Sequence, residues 1–184
     1  MTAEEFIAKF PKAAKAAVQV KEYETVRLSS PDEVLPALKW LKDKGYDYLE
    51  MISSTDWSGP VKSEGYIKNP NPNVFLPEGA TPQIVAVATP GFAYRPVIDV
   101  LWMLANIETR KRIILKLEVP RDAAKVPSAY DLFKSADWQE REQFDLMGVT
   151  FEGHPNLTKI LTPDFLVGHP LRKDYVHVKD KYDE

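Results

Sequence analysis

Apolar positions along this chain change period several times, and each change marks an element. Residues 2–9 put Phe6, Ile7 and Phe10 on one helical face, and Pro11 ends that helix. Ala17–Val20 and Thr25–Leu28 are short β-leaning runs and predict a hairpin. Ser30-Pro31-Asp32-Glu33 predicts a helix start, with Ser30 capping and Glu33 completing a capping box. Val34, Leu35, Leu38 and Leu41 then follow helical spacing until Gly45. Pro36 lacks an interior N–H, so a kink or a late start is expected there. Tyr46–Ser54 reads as a strand closed by Thr55–Pro60. Residues 58–82 hold five Pro and three Gly without periodicity and read as a long excursion. Gln83–Thr89 is a short apolar run, followed by a turn over Pro90–Pro96. Val97–Leu104 fits either period and is read as a strand. Arg112–Val119 alternates Ile113, Leu115, Leu117 and Val119 as a strand on one face of a core. These elements predict an α+β fold: a two-layer domain with a small mixed or antiparallel sheet covered by helices, plus an extended C-terminal arm.

A second stretch breaks these patterns. Asp137–Met147 reads as a helix, with Asp137 as a capping candidate and Gly148 as the stop. At about 100° per residue, Arg141, Glu142 and Asp145 share an arc with Trp138, while Phe144, Leu146 and Met147 lie opposite with Glu140 among them. Two readings stand. Either the charged face is solvated, with an Arg141–Asp145 pair, or both faces are covered and Trp138 anchors a partner. The expected division is therefore 1–134, an α+β domain carrying the 58–82 insertion, and 135–184, a helix followed by an extended partner-binding arm.

Composition narrows the chemistry. The 184 residues include no Cys, which excludes disulfides, thiolate metal sites, cysteine-ligated Fe–S clusters and a Cys nucleophile on this chain. A net charge of −3 gives no electrostatic basis for general nucleic-acid binding. No apolar run approaches the ~18 residues needed to span a bilayer. The N-terminus, with Glu4 and Glu5, reads as neither a signal nor a transit peptide. Glu140, Glu142 and Asp145 are close enough to perturb one another, but no nucleophile or phosphate-binding glycine loop accompanies them. His154, His169, His177 and Asp174 raise a zinc site. Each Gly-His-Pro tripeptide instead holds its His in an extended or turn conformation, away from the helical spacing that pairs ligands. The tail Val176–Glu184 has few apolar residues and would need a partner to be ordered.

The ordered run Glu140-Arg141-Glu142-Gln143-Phe144-Asp145-Leu146-Met147-Gly148, then Gly153-His154-Pro155 with Ile160-Leu161, then Gly168 to Tyr175, resembles the signature of the 30-kilodalton subunit of respiratory complex I. Weaker similarity extends over 31–44, 46–54 and 97–119, and 58–82 looks like an insertion. One departure is that the family usually has a basic residue where Thr158 stands, with Lys159 next to it here.

The resemblance implies a subunit without a cofactor of its own, the Fe–S clusters, FMN and quinone lying on other subunits. It implies partners in the large 49-kilodalton subunit and other peripheral-arm subunits, with no nucleic acid and no direct membrane insertion. The implied location is peripheral, on the cytoplasmic face of the cell membrane. The implied activity is support of electron transfer from NADH to quinone in a proton-pumping complex, with no active site on this chain. A related membrane-bound hydrogenase, formate hydrogenlyase, or ferredoxin- or F420-linked complex is the alternative. Residues expected at the partner interface are Trp138, Glu140, Arg141, Glu142, Asp145, His154, His169, Arg172, Lys173 and Asp174. The contrasting reading from another class is a metal-dependent enzyme using His154, His169 and Asp174.

Overall fold

The computed structural model describes residues 2–17, 23–59 and 93–175. The insertion beyond Gly59, the run at 83–89, His177 and the tail at 176–184 lie outside them.

Helix α1 (Ala3–Lys9) opens with a capping box between Thr2 and Glu5 and buries Ala3 and Phe6. Strands β1 (Ala14–Lys15) and β2 (Glu24–Arg27) pair antiparallel, Ala14 opposite Arg27. The hairpin partner is thus Ala14–Lys15 instead of the expected 17–20 stretch, most of which lies outside the described residues.

Ser30 does not cap. Glu33 reaches back one residue further, accepting at 2.8 Å from both the backbone N–H and the hydroxyl of Ser29. Residues Pro31–Glu33 form a 3₁₀ turn, and helix α2 (Val34–Asp43) starts after it. Pro36 therefore falls in the first turn of α2, where an N–H has no intrahelical partner, and the late start removes its cost. Gly45, at φ +84°, closes α2, with Gly45 N–H to the Lys42 carbonyl and Tyr46 N–H to the Leu41 carbonyl. Tyr46 is spent on this cap, so strand β3 (Tyr48–Asp56) begins two residues later than expected.

β4 (Val97–Asn106) and β5 (Lys111–Pro120) form a long antiparallel pair, which settles the period of 97–104 in favour of strand. The sheet runs β1-β2-β5-β4-β3, parallel only between β2 and β5. One face carries Ile98, Val100, Trp102, Leu104, Ile113, Leu115 and Leu117, all buried against α1 and α2. Phe6, Phe10 and Trp40 close one end of that layer, with ring centroids 4.8–5.8 Å apart. The expected α+β architecture with a mixed sheet is the one observed.

Helix α3 (Ala136–Met147) packs along β3, the far edge of the sheet. An edge strand needs its free polar groups covered. Gln139 and Gln143, one turn apart, do this: Gln139 Oε1 accepts from Ile52 N–H and Gln143 Oε1 accepts from the Ser54 hydroxyl. A short parallel pair, β6 (Lys125–Pro127) with β7 (Thr150–Glu152), joins the chain before α3 to the chain after it. This pairing spans the division expected at 134/135.

Candidate functional site

The site is α3 together with the segment from Gly148 to Tyr175. This segment has little regular structure, yet it runs along α3 from its first turn to its last, held by the burial of Val149 and Phe151 and by a series of hydrogen bonds. His154 comes first. Its Nε2 donates to the Asp137 carbonyl at 3.2 Å and its Nδ1 accepts from Asn156 N–H at 3.0 Å, which uses both ring nitrogens. Asp137 was expected to cap α3. The residue before the helix is Ser135, in helical conformation and without a side-chain cap, and the Asp137 carbonyl serves His154 instead.

In the middle of the helix, Arg141 donates to the carbonyls of Thr158 and Lys159 and to the Thr158 hydroxyl. Thr158 supplies two acceptors to this guanidinium, where a basic side chain would meet it with like charge. The neighbouring cation, Lys159, turns away to the Leu166 carbonyl. The Asp145 carboxylate accepts from the N–H groups of Ile160, Leu161 and Thr162 at 2.8–3.0 Å and from the Thr162 hydroxyl. Burial would raise its pKa, but these four donors outweigh burial and hold it down to about 2. Arg141 and Asp145 thus do not pair with each other. Each holds its own part of the arm, so the Arg141–Asp145 pair of the solvated-face reading is not formed, while Trp138 and Glu142 on the same arc are exposed.

The last turn of a helix leaves carbonyls without intrahelical donors. Here the second Gly-His-Pro segment supplies them. His169 Nδ1 donates to the Asp145 carbonyl at 2.9 Å and Leu171 N–H to that of Leu146 at 3.0 Å. Arg172 Nε donates to Met147 at 2.8 Å, and its terminal nitrogen to Gly148 and Arg121. A guanidinium at this end also suits the helix dipole. Gly148 sits at φ +70°, and a Cβ there would lie 2.4 Å from His169 Nε2 and 2.7 Å from Arg172. Both its conformation and its lack of side chain are required.

Beyond Arg172 the arm returns to the sheet. The Asp56 carboxylate accepts from Lys173 N–H and from Arg121 Nε, and Arg121 also pairs with Asp174. Burial pushes Asp56 up, but the N–H groups of Ser58 and Lys173 and the Arg121 guanidinium keep it below the usual carboxylate range.

Glu140 faces the other way, into the core. It is fully buried, accepts from the Ser128 hydroxyl and from Ala129 N–H at 2.6 Å each, and is pushed by burial up to about 7. His154 and His169 bind carbonyls eight residues apart on α3, about 12 Å along the axis, while Asp174 is held by Arg121. The three do not converge. Among the described residues no three His, Asp or Glu side chains are arranged to hold a metal ion.

Alongside exposed polar residues such as Glu142, Asp164 and Lys173, α3 and the arm expose several large apolar side chains. Trp138, Leu161, Phe165, Val167 and Leu171 are each between 58% and 79% exposed. Of the residues expected at an interface, Trp138, Glu142, Lys173 and Asp174 face solvent. Glu140, Arg141, Asp145, His154, His169 and Arg172 are engaged within the chain. Leu161, Phe165, Val167 and Leu171 were not expected, because an irregular segment has no period to betray its outward side. Their one sequence signal is large apolar side chains where no core element runs.

The model of the respiratory-chain NADH dehydrogenase 30-kilodalton subunit matches residues 28–181, most of the chain and all of this site. The chain belongs to that family. A chloroplastic NAD(P)H-quinone oxidoreductase subunit J from Chaetosphaeridium globosum is 45% identical over 71 residues, 39% of this chain and 42% of that protein. The chain thus matches less than half the length of this curated relative. Two solved structures share the fold. A trypsin-resistant fragment of Nqo5 aligns with a TM-score of 0.53 at 23% identity, covering 84% of this chain and 95% of the fragment. A chain of a membrane-bound sulfane sulfur reductase, an archaeal respiratory membrane complex, aligns with a TM-score of 0.60 at 22% identity, covering 94% of this chain and 82% of that one. Among the described residues, no helix is long and apolar enough to cross a membrane.

Proposed function

We propose that this chain is a cofactor-free structural subunit of the peripheral arm of a proton-pumping NADH:quinone oxidoreductase. In this reading it docks on the large 49-kilodalton subunit and supports electron transfer from NADH to quinone without an active site of its own. It sits on the cytoplasmic face of the membrane and contacts no lipid core.

One observation carries the docking role: an apolar row, Trp138 on α3 with Leu161, Phe165, Val167 and Leu171 on the arm, is exposed, while the Asp145 carboxylate and His169 bond inward. Large exposed apolar groups gathered on one element mark a partner surface, whereas scattered ones do not. Glu142, Lys173 and Asp174 supply polar groups at its margin, the usual composition of an interface rim. The charged residues bound inward act at one remove, by giving the arm its shape.

A related membrane-bound redox complex is the second reading, favoured by the likeness of fold to a chain of the archaeal sulfur-reducing assembly. Co-purification from native membranes separates the two. Recovery of a large redox partner with flavin and Fe–S absorbance and NADH:quinone activity is the expected result. Recovery of a partner active only with another donor would favour the second reading. Recovery of the chain alone would overturn both.

A further inference from the structure

Besides the bonds of His169, Leu171 and Arg172 to the last carbonyls of α3, two carboxylates fasten the arm, in different ways. The first is the Asp145 carboxylate, which takes only N–H and O–H donors of residues 160–162 and lies on α3. The second lies on the sheet, where Asp56 ends β3 and Arg121 follows β5. There the bonds are ionic and graded in exposure. The Asp56 side chain is 1% exposed, Arg121 12% and Asp174 46%. Arg121 Nε spans both oxygens of Asp56 at 3.0 and 3.2 Å, and Lys173 N–H reaches the same carboxylate at 3.0 Å.

Between the two fastenings, the polar contacts of residues 163–168 stay within the arm: Leu166 N–H to the Pro163 carbonyl, and Lys159 Nζ to the Leu166 carbonyl. Among the described residues, no hydrogen bond or ion pair ties this stretch to α3 or to the sheet. Its position is set by its flanks, residues 160–162 before it and residues 169–174 after it.

We propose that Asp56 and Arg121 form an electrostatic latch that holds residues 163–174 closed on the body of the protein, and that this latch opens independently of the Asp145 anchor. The apolar row then has a fixed half, Trp138 and Leu161, and a latched half, Phe165, Val167 and Leu171. Opening moves the latched half and uncovers the carbonyls of Asp145, Leu146 and Met147. The purpose of the latch, to present the row in register for a partner, rests on the docking role proposed above. Its existence does not.

Residue-resolved amide hydrogen exchange on the full-length chain tests it without any partner, so failure of the latch and failure of the subunit reading are distinguishable. Asp56→Asn should raise exchange at Leu171, Arg172 and Lys173 by about tenfold or more. Ile160, Leu161, Thr162 and the amides of β5 should keep their protection. Asp174→Asn, at an exposed position, should give the same pattern at smaller amplitude. If Asp56→Asn disrupts the sheet, Asp174→Asn carries the test alone. Unchanged exchange at 171–173 in Asp174→Asn, or joint release of 160–162 with 171–173, overturns the proposal.

Discussion

His169 Nδ1 donates to the backbone carbonyl of Asp145 at 2.9 Å, so the last turn of α3 is capped by a residue 24 positions further along the chain. Leu171 and Arg172 cap the next two carbonyls. The helix and the arm therefore depend on each other. The helix end is satisfied only when the arm is in place, and the arm has no regular hydrogen bonding of its own beyond β7.

Gly148 is the tightest point of this arrangement. Gly148→Ala should cost about 2–4 kcal/mol, from the left-handed backbone and from displacement of His169 and Arg172. Gly153 is the control. Its φ is +86°, but nothing lies within 4 Å of a Cβ there. Gly153→Ala should cost only about 1–2 kcal/mol. Chemical denaturation of both variants checks this, and equal losses would mean that the cap contributes nothing.

Asp145 makes acid stability a direct readout of the arm. Its folded pKa of about 2 lies below the ordinary 3.8. Its contribution is therefore present above pH 3.8 and is lost as pH falls toward 2, for roughly 2 kcal/mol. Asp145→Asn should remove this limb of the pH profile and lower stability at pH 7, since an amide cannot accept from all four donors. A variant that keeps the acid limb would place the titrating group elsewhere.

Glu140 predicts the opposite slope. Its folded pKa of about 7 exceeds the ordinary 4.5, so the folded state holds the proton more tightly. That contribution is full below pH 4.5 and is lost as pH rises to about 7, for roughly 3 kcal/mol. Glu140→Gln can still accept from Ala129 N–H and can donate to the Ser128 oxygen. It should match the natural protein at pH 5 and exceed it in stability at pH 8. Denaturant midpoints at the two pH values decide it, and a parallel pH profile in the variant contradicts the assignment.

Strands β3 and β5 and the helical cover were legible from periodicity, whereas 97–104 fitted either period and β1 lay outside the run expected to pair. Ile113, Leu115, Leu117 and Val119 alternate into the core as read, and Gly45 and Gly148 end their helices. Local signals with two close solutions were less secure. Glu33 bonds Ser29 where Ser30 was the nearer candidate, and Tyr46 serves a helix cap instead of the strand it resembles. Non-local burial was not legible at all. Asp145 lies on a polar arc of α3 and is buried only because residues 160–162 close over it. Nothing in helical spacing reports a segment that returns fifteen residues later. The motif of charged and His residues was visible, but its orientation was not, so side chains expected outward turned inward. Of the exposed apolar residues, only Trp138 stood out in the sequence.

We propose that α3 and the arm turn Arg141, Asp145 and Arg172 inward and present an apolar docking row outward. The direct measurement pairs stability with assembly for Phe165→Ser combined with Val167→Ser, both residues being exposed in the isolated chain. The predicted result is a change in the chain's own stability within about 0.5 kcal/mol, together with loss of the large redox partner on co-purification from native membranes. Recovery of that partner at the natural level would contradict the claim, as would a loss of stability large enough to show that the two side chains belong to the protein's own core.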